Sequence, residues 1–164
     1  MYKRQQLVLD ALIEQFPAGN ETFTANAAAF MLELDKIHLG YTTAFGEGST
    51  CSTLTAAANH NAYSYITVRY GIEFVTVHGL DPEGEPTTAD IAKVIEKINE
   101  DEVNVLFIEE YTDASSVNSI VEDTGVQVLY LYTMEMAPTD TNDNYLSMMN
   151  KNLDNLKTGL GCTV

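Results

Sequence analysis

The sequence predicts an α/β fold, a four-stranded parallel sheet flanked by helices and preceded by two helices. Four short runs, at residues 54–58, 73–77, 103–108 and 126–131, are too short for helices, and three are rich in β-branched residues. Each is followed by a segment with helical spacing of apolar residues. The runs are largely apolar and joined by helices, which fits strands buried on both faces by crossover helices.

The elements read in order as follows. Val8, Leu9, Leu12, Ile13 and Phe16 share one helical face. "FPAGN" breaks that helix, with Pro17 and Gly19 as punctuation, and Asn20 is expected to cap the next. Phe23, Ala27, Phe30, Met31, Leu34, Ile37 and Tyr41 then keep helical spacing until "GEGST". Beyond it the expected helices cover about residues 61–70, 88–99, 115–124 and 143–160, with apolar faces such as Ile91, Val94, Ile95 and Ile98. This divides the chain into a helical lead-in over 1–45 and an α/β portion over 46–164.

At 164 residues and 45% hydrophobic content the chain fits one domain with a sizeable core. It has 24 acids against 8 bases, a net charge of −16. That argues against a nucleic-acid partner, which requires clustered Lys and Arg, and against an anionic membrane surface. It suits a cation ligand or a solvated acidic surface. No apolar run approaches a membrane span, and no secretion signal is visible at the start. Cys51 and Cys162 form no CxxC pair. Two independent buried thiols and one long-range disulfide are both open on spacing alone.

In a parallel sheet the strand C-termini share one edge, where α/β proteins hold ligands. Here His60 follows the first run, His78 the second, Glu109 and Glu110 the third, and Glu135 lies beyond the fourth. Imidazole and carboxylate are good ligands for Zn²⁺ and acceptable for Mn²⁺. Each residue also has an ordinary structural use. His60 could cap a helix or bond a carbonyl, and Glu135 could be a solvated loop acid. Glu109 and Glu110 are expected to be solvated or to bond loop amides. His78 reads as a loop residue and His38 as a structural helix residue. "DTNDN" at 140–144 lacks the glycine and terminal glutamate of a calcium loop and reads as a helix start. There is no phosphate loop, GxSxG elbow or GxGxxG.

The stretch "NHNAYSYITVRYGIEF" resembles the metal-binding ABC-transporter solute-binding family of the ZnuA/TroA type. So do "ETFTANAAAFMLELDKIHLGY", "GLDPEGEPTTADIAKVIEKI", "VLFIEE" with "DTGVQVLYLYTME", and "YLSMMNKNLDNLKTGLGC", in the same order and at the same spacing. The resemblance covers essentially the whole chain. It implies the C-terminal lobe of a bilobed protein that clamps a metal between two α/β lobes. His60 matches the histidine that follows the first strand of that lobe. Glu135, 75 residues later, matches the carboxylate that follows its fourth strand. His78 and Glu110 match no ligand position.

The resemblance further implies a zinc-binding component of a metal-uptake transporter, with zinc favoured over manganese because His60 supplies a nitrogen. An ABC-transporter permease would be the partner, no reaction would be catalysed, and the location would be extracytoplasmic. Similar Cys positions in the family imply a Cys51–Cys162 disulfide. The departure is that the N-terminal lobe, with its two histidines and any targeting signal, is not part of this chain. Two rival readings remain at this level. One is a small flavodoxin-like metal-dependent hydrolase domain using His60 with Glu110 or Glu135. The other is an interaction domain whose acidic surface meets a basic partner.

Overall fold

A computed structural model describes residues 2–78 and 87–163. The "GLDPEGEP" motif at 79–86 lies outside them. The chain divides into two compact units, Met1–Gly40 and Tyr41–Val164.

The first unit holds α1 (Tyr2–Gln15), a 3-10 turn (Pro17–Gly19) and most of α2 (Asn20–Phe45). Pro17 opens the 3-10 turn, where its missing N–H costs nothing, and the turn runs directly into α2. Asn20 is therefore not a cap as expected. Its backbone is already helical, and its Oδ1 accepts from the Thr24 hydroxyl. The expected apolar face of α1 is present, but only its Leu9 is buried, and Val8 and Phe16 remain 59% and 61% exposed. With Phe23, Ala27 and Phe30 of α2, this face lines an apolar groove of about 450 Å³. Burial deepens along α2, through Leu34 and Ile37 to Tyr41 and Phe45 in the second unit.

The second unit is built on a four-stranded parallel sheet in the order β2-β1-β3-β4. The strands are β1 (Thr55–His60), β2 (Glu73–His78), β3 (Val105–Glu109) and β4 (Gln127–Leu131). Helices α3 (Ser64–Tyr70), α4 (Thr88–Glu100), α5 (Asn118–Thr124) and α6 (Tyr145–Gly159) alternate with them. A second 3-10 turn, Ala114–Val117, leads into α5. The fourfold βα alternation expected from the sequence is thus observed, with two shifts at the first unit of the pattern. β1 runs on to His60, so His60 closes the strand instead of following it. The next helix begins at Ser64 and not at Asn61, because Asn61 to Tyr63 form the turn.

Strand side chains alternate between two buried faces, as a sheet covered on both sides requires. Ala57, Val77, Leu106 and Ile108 meet Val94 and Ile98 of α4 and Ile120 of α5. Phe107 faces the other way and meets the Phe74 ring edge-on. On this second face α6 comes very close: a Cβ added at Gly159 would lie 2.8 Å from Val105 and 2.9 Å from Phe107. The end of α2 covers the same layer. Tyr41 stacks at 4.9 Å on Tyr70, and its hydroxyl donates to the Met149 carbonyl of α6.

Cys51 and Cys162 are joined in a disulfide, as the family resemblance implied. Hydrogen bonds reinforce the tie between these distant segments. Ser52 N–H donates to the Leu160 carbonyl, and the Thr50 hydroxyl donates to the Thr163 carbonyl. Gly161 makes the junction possible by taking a left-handed φ of +63 just after α6.

Candidate functional site

The strand order places β1 and β3 side by side at the centre of the sheet. The chain leaves β1 toward β2 on one side and returns through α4 to β3 on the other. The crevice between the exits of β1 and β3 is therefore the topological switch point, the usual ligand position of an open α/β sheet.

Parallel register sets which side chains meet there. Ala58 pairs with Phe107, so His60 and Glu109, each two residues further, lie beside one another on the same face. His60 Nδ1 is 3.0 Å from Glu109 Oε1, and the two side chains are only 6% and 15% exposed. The contact is an ion-pair approach without a directed hydrogen bond. The expectation that Glu109 and Glu110 are solvated or bond loop amides does not hold. Glu109 faces His60, and both Glu110 carboxylate oxygens are buried without a hydrogen bond. Strand alternation sends Glu110 to a separate cleft of about 310 Å³, beside Tyr132, Asp143 and Lys151.

The unmet polar atoms are concentrated at this edge. Asn59 Oδ1, His60 Nδ1, Tyr63 Oη, Glu109 Oε1 and the two Glu110 oxygens are buried without a directed partner. Among the described residues only Gln5 Oε1 shares that condition elsewhere. Each such group costs ~1–3 kcal/mol, so their gathering at a switch point makes this edge the candidate site.

Burial governs the electrostatics. It pushes the His60 imidazole below its ordinary value of 6.5, opposed by the charge of Glu135. It pushes the Glu109 carboxyl up, reinforced by Glu135 and Glu110. Each of these shifts favours a neutral group, whereas the 3.0 Å contact between His60 and Glu109 favours the charged pair. The Tyr63 phenol is likewise raised, by burial first and then by Glu109, Glu110 and Glu135.

Glu135 lies in the exposed loop after β4, within electrostatic reach of His60, Tyr63 and Glu109. Met134 before it has a left-handed φ of 62, unusual for a residue with a Cβ, which redirects the chain at that point. Three hydrogen bonds anchor the start and end of the loop. Buried Asn152 of α6 bonds Tyr132, and the Tyr111 hydroxyl donates to the Ala137 carbonyl. Asn144 caps α6 in a capping box with Ser147, so the "DTNDN" segment is a helix start. The backbone of His78 pairs with His60 across β1 and β2. His38 is half-buried within α2, in the first unit. Among the described residues no three His, Cys, Asp or Glu side chains converge closely enough to hold a metal ion.

Asn59, Tyr63 and Asn152 escaped the sequence reading, as did the pairing of Glu109 with His60. The glutamate was visible as a strand-end acid, but its pairing depends on β1 and β3 being neighbours. Asn152 gave no signal, because it lies on an ordinary helical face.

A parallel sheet with a histidine and glutamates at its switch point defines an open α/β module with a candidate ligand-binding edge. The family described as "Zinc-uptake complex component A periplasmic" matches residues 4–159, and the chain belongs to it. The zinc-binding lipoprotein AdcA of Streptococcus pneumoniae R6 is 29% identical over 153 residues, covering 92% of this chain and 30% of that protein. The high-affinity zinc uptake system protein ZnuA of Bacillus subtilis is 26% identical over 152 residues, covering 91% of this chain and 47% of the relative. The structure of the Zn(II)-bound ZnuA-like domain of Streptococcus pneumoniae AdcA superposes with a TM-score of 0.76 at 28% identity, covering 93% of this chain and 57% of that one. The chain thus spans less than half the length of these two curated relatives.

Proposed function

We propose that this chain captures Zn²⁺ as the C-terminal part of the solute-binding component of a zinc-uptake ABC transporter, which hands the ion to a membrane permease outside the cytoplasm. Residues 1–45 serve as the helical lead-in and 46–164 as the metal-binding lobe. The reading catalyses no reaction: the ion is cargo. His60 supplies a neutral nitrogen and Glu135 an anionic oxygen. A nitrogen ligand favours Zn²⁺ over Mn²⁺. The observation that carries this reading is His60 itself, buried at the switch-point end of β1, beside Glu109 and within electrostatic reach of Glu135.

Zinc held by protein alone takes four ligands, and this reading supplies two of them. The others come from a preceding lobe, which accords with the chain spanning 47% of the Bacillus subtilis relative. Affinity of this chain alone is accordingly far weaker than that of a two-lobed protein.

Titration calorimetry with Zn²⁺ on the parent, His60→Ala and Glu135→Ala tests the reading. The first variant loses specific binding and the second is weakened, with the fold retained by circular dichroism. Equal zinc binding by all three proteins overturns the ligand assignment.

A further inference from the structure

We propose that Glu109 is a positioning residue for His60: its carboxylate accepts the proton carried on Nδ1 and fixes the ring with the Nε2 lone pair free for a cation. The proposal deepens the zinc reading above and rests on it for the identity of the cation.

Three observations carry it. The register of β1 and β3 makes the two residues lateral neighbours, so the contact is imposed by the sheet and not by a mobile loop. The separation of 3.0 Å is within hydrogen-bond reach although the ring is not yet aligned for a directed bond, and both side chains are nearly sealed from water. Neither His60 Nδ1 nor Glu109 Oε1 has any hydrogen-bonding partner, so nothing competes with the bond a small ring rotation would close between them.

The two ring nitrogens of a neutral histidine are not equivalent. Whichever holds the proton cannot bind a cation, and the choice is set by the hydrogen bond the other makes. A carboxylate can only accept, so Glu109 selects the tautomer protonated at Nδ1. A cation on Nε2 then lies on the side of the ring away from Glu109. The glutamate therefore orients the ligand without being one. Such outer-shell partners also raise the basicity of the ring they hold, and losing one typically lowers metal affinity ~10–100-fold.

The test compares the parent with Glu109→Ala and Glu109→Gln by ¹⁵N NMR of the imidazole nitrogens in metal-free protein, followed by zinc titration. Only three histidines need assignment, and His60→Ala identifies the relevant signals. The parent should carry its His60 proton on Nδ1. Glu109→Ala should move it to Nε2 and weaken zinc binding ~10–100-fold. Glu109→Gln keeps a carbonyl acceptor, so it should hold the parent tautomer and lose less affinity, and it serves alone if the alanine variant does not fold. A parent protonated on Nε2, an unchanged tautomer in Glu109→Ala, or equal losses in the two variants overturns the proposal. A parent that ignores zinc would count against the transport reading alone, because the tautomer comparison needs no metal.

Discussion

Asn152 of α6 holds both backbone groups of Tyr132: its Oδ1 accepts from the Tyr132 N–H at 2.7 Å, and its Nδ2 donates to the Tyr132 carbonyl at 2.9 Å. The side chain thereby pairs with the residue just past β4 as a further strand would. It fixes the exit from which the Glu135 loop departs.

Asn152→Ala leaves these two backbone groups without their partner. At up to ~1–3 kcal/mol for each of these part-buried groups, the expected loss is at most ~2–6 kcal/mol. Urea denaturation measures it. A midpoint equal to that of the parent would mean that water replaces the side chain at no cost.

Glu110 carries the pH prediction. Burial, with repulsion from Asp143 second, raises its folded-state pKa above the ordinary 4.5. Between 4.5 and the raised value the folded state binds more protons than the unfolded chain. Stability from this group therefore falls as pH rises through that window. Glu110→Gln should be more stable than the parent at pH 7, and the advantage should vanish below pH 4.5. Melting curves of both proteins across this range decide it; a variant less stable than the parent at pH 7 would show the carboxylate to be favourably bound.

His60 gives the opposite sign. Its folded-state pKa lies below 6.5, so its contribution is complete above pH 6.5 and declines as the pH falls through the folded value. Zinc binding depends on the same neutral ring. Affinity should therefore persist to lower pH than an unperturbed histidine would allow, as zinc titrations from pH 7.5 to 5 would show. A half-loss at the ordinary value itself would contradict the burial of the ring.

The disulfide closes a sequence separation of 111 residues. In the chain-entropy account such a loop stabilises the fold by at most about 4–5 kcal/mol. Paired Cys51→Ser and Cys162→Ser changes should lower the denaturation midpoint toward that limit, moderated by the hydrogen bonds of Thr50 and Ser52 to the C-terminal segment. Peptide mapping without reductant should recover the linked fragment, and two free thiols in oxidised protein would refute the bond.

A net charge of −16 implies self-repulsion that salt screens. The melting temperature should rise with NaCl well below molar concentration. A flat curve would show the acidic groups to be already well spaced.

By itself the sequence determined the α/β class, because apolar runs and helical periodicity are local patterns that each side chain carries with it. It also determined the order of the elements and a helix start in the 140–144 segment, where the structure finds the short polar side chain of Asn144 meeting the free amides of α6. His60, Glu109 and Glu135 were legible as candidates, since the end of a strand is a local property. Three things waited for the tertiary structure. Strand order brought β1 beside β3, and only then did register set Glu109 against His60. Burial of Glu110 depended on which way it turned from that edge. The exposed face of α1 looked in sequence like any amphipathic helix, because periodicity reveals that a face is apolar and not what covers it. In each case the deciding contact joins residues far apart in the chain, and its free energy exists only once the sheet has formed.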